Sequence, residues 1–115
     1  MNISIYKKYA TNVESIKECK NLIEKAFSIV FVSHESSYIG LYYKAIFLNS
    51  TLNLLSNYNT IEDYWVVPNF KILNTILSVS ITDGKKIDRL GTDKAISERL
   101  AVLNFQLVST YEKDT

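Results

Sequence analysis

Ser37-Tyr38-Ile39-Gly40-Leu41-Tyr42-Tyr43-Lys44-Ala45-Ile46-Phe47-Leu48-Asn49-Ser50-Thr51-Leu52-Asn53-Leu54-Leu55-Ser56 is the stretch on which the fold turns. Read at helical period, Leu41, Ala45, Leu48, Leu52 and Leu55 recur at steps of 4, 3, 4 and 3, the spacing of one helical face. Asn49, Asn53 and Ser56 take the polar side. Ser36 or Ser37 can cap the start, because a serine hydroxyl accepts from an unpaired N–H of the first turn. Gly40 costs such a helix up to about 1 kcal/mol relative to Ala, less than a five-position stripe returns. The spacing therefore predicts a helix over about 37–56, followed by a loop at Asn57-Tyr58-Asn59-Thr60.

Toward the N-terminus, Thr11-Asn12-Val13-Glu14 has the form of a capping box. Ile16, Cys19, Ile23, Ala26 and Val30 follow at steps of 3, 4, 3 and 4, with Glu14, Glu18, Asn21, Lys25 and Ser28 opposite. A helix from Thr11 to about Phe27 is predicted. Ile29-Val30-Phe31-Val32 reads as its buried end or as a short strand. Asn2 to Tyr6 alternates, with Ile3 and Ile5 on one side, and predicts an extended arm.

Toward the C-terminus, Pro68 disfavours helical geometry at Val67 and marks a boundary. Asn69 can cap the next element. Phe70, Leu73, Ile76 and Leu77 face one way, and Lys71, Asn74, Thr75 and Ser78 the other, until Asp83-Gly84 ends the element with Gly84 left-handed. A rival reading takes Ile76 to Ile81 as an alternating strand. Lys85 to Gly91 reads as a mixed-charge connection. Thr92 or Asp93 then caps a last helix with Ile96, Leu100, Leu103 and Leu107 as its stripe. Leu103, Phe105 and Leu107 also alternate, as a strand would. Four amphipathic elements predict an all-α fold, a small four-helix bundle with an N-terminal extended arm. The alternative is α+β with a C-terminal hairpin or strand. At 115 residues, one globular domain over 1–115 is expected.

Composition narrows the functional classes. Apolar residues make up 47% and charged residues 22%, and 13 Lys+Arg against 12 Asp+Glu leave +1. That excludes a disordered tail and a strongly basic nucleic-acid clamp. One cysteine excludes an internal disulfide, and one histidine excludes most histidine-based metal sites. No apolar run approaches the ~18 residues of a membrane span, and no signal-type apolar segment follows Lys7-Lys8. A cytoplasmic location is expected, with Cys19 reduced. Many Lys, Ile and Asn with only two Arg suggest an AT-rich bacterial or phage coding sequence.

No common active site can be assembled, so the chain does not read as an enzyme and calls for no cofactor or metal. Cys19 lies on an apolar stripe and reads as a small buried hydrophobe. His34 reads as a surface or capping residue, and Glu62-Asp63 as acids at a helix start. Asp83-Gly84-Lys85-Lys86 lacks the glycines of a phosphate loop.

Two features point to binding instead. Tyr38, Tyr42, Tyr43, Tyr58, Tyr64 and Trp65 fall within 28 residues, and such side chains anchor interfaces. Tyr38, Tyr42, Tyr58, Tyr64 and Trp65 are the expected partner-binding set. Lys85, Lys86 and Arg89 join it from a loop in which Asp83, Asp88 and Asp93 are interleaved. Charges of both signs suit a protein contact better than a phosphate backbone. The expectation is a non-catalytic protein-binding module, most concretely an inhibitor or immunity-type protein that occludes a partner such as a bacterial toxin. The alternative is a regulator that binds nucleic acid or a phosphate ligand, which the acids disfavour. Unburied apolar stripes would also allow a homodimer.

Overall fold

Period two, not period 3.6, governs the middle of the chain. In the computed structural model, which describes residues 3–12 and 15–114, the 37–56 stretch is a hairpin. Its strands are β3 (Gly40–Phe47) and β4 (Ser50–Ser56). Tyr43, Ala45 and Phe47 of β3 and Leu52 and Leu54 of β4 are buried. A helix on the Leu41 stripe would have turned Tyr43, Phe47 and Leu54 toward water. The hairpin buries them and leaves Leu41 and Leu48 exposed. Three large side chains buried against two left exposed favour the hairpin by about one side chain's worth, about 1.5–3 kcal/mol. Ser36 does cap, but caps a turn: its Oγ accepts from the N–H groups of Tyr38 and Ile39 at the start of β3.

The four-helix bundle is therefore overturned. The chain forms a six-stranded sheet, ordered β2-β3-β4-β7-β1-β8, antiparallel at every junction. The remaining strands are β1 (Ile3–Thr11), β2 (Val32–Ser36), β7 (Thr75–Ile81) and β8 (Gln106–Asp114). Between β4 and β7 lie the two-residue strands β5 (Tyr58–Asn59) and β6 (Tyr64–Trp65), paired with each other, and a 3-10 turn at Pro68–Phe70. Helices α1 (Ile16–Phe27) and α2 (Lys86–Val102) pack on one face of the sheet. The α+β alternative is closer to this architecture.

The N-terminal segment is no arm: β1 pairs with β7 on one side and β8 on the other. The strand rival prevails over Ile76 to Ile81; at the C-terminus a strand also forms, but it starts at Gln106, after Leu103 and Phe105. Leu77, Val79 and Ile81 face the helices while Ile76 is buried on the opposite face, so the 69–78 helix does not form. The last helix ends at Val102. Leu103 follows, and Asn104 at φ 61° turns the chain into β8. That helix begins at Lys86, earlier than Thr92 or Asp93, with the Asp88 carboxylate accepting from Lys85 N at 3.3 Å. The connection expected at Lys85–Gly91 is thus its first turns. Gly84 is left-handed, at φ 88°, between a strand and a helix.

The first helix is where its stripe predicts, burying Cys19, Ile23 and Phe27. Its cap is Ser15, whose Oγ accepts from Lys17 N at 3.1 Å. Thr11 ends β1, and Val13 and Glu14 of the expected capping box lie outside the described residues. Ser28 closes the helix in the left-handed conformation. The Glu24 carboxylate then accepts from Phe31 N at 2.8 Å and from Lys20 Nζ at 3.2 Å, which fixes the route into β2.

The core lies between the helices and one sheet face, with Ile5, Tyr9, Leu52, Leu54, Leu77 and Val79 meeting Cys19, Ile23, Ile96 and Leu100. The other face is covered only at one end. There the 57–74 connection buries Ala10, Val67 and Ile76. Among the described residues no helix is long and apolar enough to cross a membrane.

Candidate binding surface

Two asparagines shape the 57–74 connection. Asn57, fully buried, donates through Nδ2 to the carbonyls of Phe70 (3.0 Å) and Leu73 (2.8 Å) and accepts from Val67 N at 2.9 Å. Asn59, 4% exposed, accepts from Ile61 N and Glu62 N and donates to Tyr38 O at 2.8 Å. A segment with little regular structure thereby satisfies its buried backbone groups from side chains. The last of these bonds ties the β2–β3 turn to the β5–β6 hairpin.

This arrangement gathers the aromatic set at one end of the sheet. Tyr38 stands on the β2–β3 turn, 70% exposed, and Tyr64 is 46% exposed on β6. Tyr58 and Trp65 pack against each other with centroids 5.0 Å apart, and Lys71 Nζ lies 5.7 Å from the Trp65 ring. Glu62 and Asp63 sit in the hairpin turn rather than at a helix start, and Asp63 accepts from the Tyr58 hydroxyl. That bond holds the Tyr58 phenol above its ordinary pKa. Tyr42 lies on the uncovered sheet face, stacked on His34 at 5.4 Å. It lines a cavity of about 180 Å³ with Lys8, Asn53, Ser78, Leu55, Val66 and Ile39. A second cavity of about 200 Å³, reaching Tyr58 and Asn59, shares Ile39 and Leu55 with it.

The basic residues lie elsewhere. Lys85 and Lys86 start α2, beyond the end of β7 where Ile81 pairs with Ile5 and Ser50. The aromatic cluster lies beyond the other end of that strand, about 20 Å away. Lys85 and Lys86 are exposed. Arg89 is 5% exposed and is used within the fold, donating to Gly84 O at 3.0 Å and Ile3 O at 2.7 Å. Two expected sets therefore make two separate surfaces, and one member is buried.

Cys19 is buried on α1, and burial pushes its thiol above the ordinary value. Among the described residues no cluster of three or more His, Cys, Asp or Glu could hold a metal ion. The Asn53 side-chain oxygen is buried and accepts no hydrogen bond from the described residues.

Residues of the uncovered face escaped the helical reading. Lys44, Asn53, Ser78 and Lys8 stand side by side in the register of β3, β4, β7 and β1. Tyr6 packs on Tyr111 at 6.0 Å one step further along. The signal was present as Tyr6-Lys7-Lys8, Tyr42-Tyr43-Lys44 and Tyr111-Glu112-Lys113. A Tyr-x-Lys pair shares a face only in a strand, so helical periodicity hides it. No protein-family model matches the chain, and no curated protein matches it.

Proposed function

We propose that the protein is a non-catalytic protein-binding module whose contact surface is the end built by the β2–β3 turn and the 57–74 connection. The observation that carries this reading is the asparagine scaffold. Asn57 and Asn59 hold an irregular segment in one shape, and that shape displays Tyr38, Ile61 and Tyr64 to solvent. Long connections with little regular structure are uncommon in small domains and tend to carry function. A pre-ordered loop loses little entropy on binding, and exposed tyrosines supply area with a polar tip. The most concrete form of this reading is an inhibitor of the immunity type that occludes a partner, such as a bacterial toxin.

Co-expression with the products of neighbouring genes tests it. A stoichiometric complex is expected, weakened by more than about 1 kcal/mol by Tyr38→Ala with Tyr64→Ala. Both side chains are exposed, so the fold is retained. No complex, or one indifferent to both substitutions, rejects the reading.

A further inference from the structure

The near-zero net charge of the chain conceals a one-signed surface. Tyr6 and Lys8 on β1, Tyr42 and Lys44 on β3, and Tyr111 and Lys113 on β8 all point to the uncovered sheet face. The strand carboxylates Glu35, Glu112 and Asp114 have the opposite parity and point to the helix side. Lys7 does the same and is neutralised there by Asp93. None of Lys8, Lys44 or Lys113 makes a salt bridge among the described residues.

We infer that this face binds a single strand of nucleic acid, its phosphates along the Lys44–Lys8 row and its bases on the flanking tyrosines. Lys44 and Lys8 are separated by three strand spacings, about 14 Å, with Asn53 and Ser78 between them as hydrogen-bonding groups. Tyr42 flanks the row on one side and the Tyr6–Tyr111 pair on the other. Each tyrosine is two residues from its lysine, about 6.7 Å along the strand. That is the scale on which a nucleotide separates base from phosphate.

Base stacking on aromatic rings over a cationic surface is how unpaired strands are held, and a duplex hides the faces that stack. An acidic protein would satisfy the lysines but would not need a ring beside each one. The cavity beside Tyr42, about 180 Å³, has the volume of about six waters. Leu55 and Val66 give it an apolar wall, and Lys8, Asn53 and Ser78 a polar one. It suits one planar base with hydrogen bonds at its edge. This surface is independent of the protein contact proposed above, and neither reading rests on the other.

The test is fluorescence anisotropy of the full chain with labelled oligouridine and oligothymidine dodecamers. Binding is expected at about 50 mM salt, with a log–log salt slope near −2 for three phosphates on a single strand. Lys8→Ala with Lys44→Ala should weaken binding at least about tenfold and flatten the slope to about −0.7. Tyr6→Ala should weaken it at least about fivefold, and Tyr6→Leu, which keeps apolar bulk but loses the ring, should do the same. Lys17→Ala with Lys25→Ala removes equal charge from exposed positions on α1 and should change nothing. The inference is overturned by any of four results: no binding of either dodecamer, a flat salt response, equal weakening by the α1 pair, or tighter binding of a labelled oligoglutamate dodecamer. The last assigns the face to an acidic protein. The wild-type salt slope stands even if a variant fails to fold.

Discussion

Lys7 and Lys8 are adjacent in the chain and serve opposite faces of the sheet. Lys7 Nζ lies 2.8 Å from Asp93 Oδ2 of α2, both side chains largely buried, whereas Lys8 lines the cavity on the uncovered face. Strand alternation alone separates them, and it sorts charge in the same step.

The two lysines should therefore differ sharply in what they do for stability. Lys7→Ala leaves the Asp93 carboxylate without its partner in a partly buried site and should cost about 2 kcal/mol. Lys8→Ala should change stability by no more than about 0.5 kcal/mol. Urea denaturation of both variants checks the assignment of faces. Equal effects would contradict it.

Asn57→Ala should be among the more damaging single changes outside the main core. It strands the Leu73 carbonyl and the Val67 N–H, while the Phe70 carbonyl keeps its bond from Leu73 N, and each buried unpaired group costs about 1–3 kcal/mol. Hydrogen exchange should show protection lost first across residues 57–74, while α1 and the central strands stay protected.

Glu24 links the α1–β2 connection to pH. The Phe31 N–H is the main reason its carboxyl titrates below the ordinary value of 4.5, with Lys20 assisting. A carboxyl depressed in the folded state stabilises above its unfolded pKa, and that contribution is lost as pH falls through the folded value. Glu24→Ala should thus be destabilising at pH 7, by about 1 kcal/mol. The gap between variant and wild type should narrow as pH falls below the ordinary carboxyl value and through the depressed folded one. Melting temperatures across pH measure this. A constant gap would refute the linkage.

Gly91→Ala should stabilise the protein. Gly91 lies inside α2, its φ is not positive, and a Cβ built there meets nothing within 4 Å. The helix gains up to about 1 kcal/mol, which raises the melting temperature by several degrees in a domain of this size. A lower melting temperature would mean that the glycine's backbone freedom is needed.

Legibility tracked how local each signal was. The α1 stripe could be read because its helix buries one face and exposes the other, so Cys19 and Ile23 appear at helical period. Ile76–Ile81 and Leu103–Leu107 showed their alternation and stood as rivals. The 37–56 stretch misleads because Leu41, Ala45 and Leu52 of the helix-side face, Leu48 of the turn and Leu55 of the opposite face fall by coincidence at steps of 4, 3, 4 and 3. The aromatic set was legible as a cluster, and its union with the β2–β3 turn was not. That union depends on Asn59 reaching Tyr38 across 21 positions. Arg89 looked like surface charge because its acceptors are backbone carbonyls, one of them 86 positions away at Ile3.

The first helix and the buried solitary cysteine are legible in the chain alone. Each follows from local spacing or from a count. That the chain is a sheet backed by two helices, and that three Tyr-x-Lys pairs share one face, is visible only in the folded molecule. The reason is physical: a strand's partners lie far away in sequence. Whether a residue sits on one face or the other depends on pairing that no local period encodes.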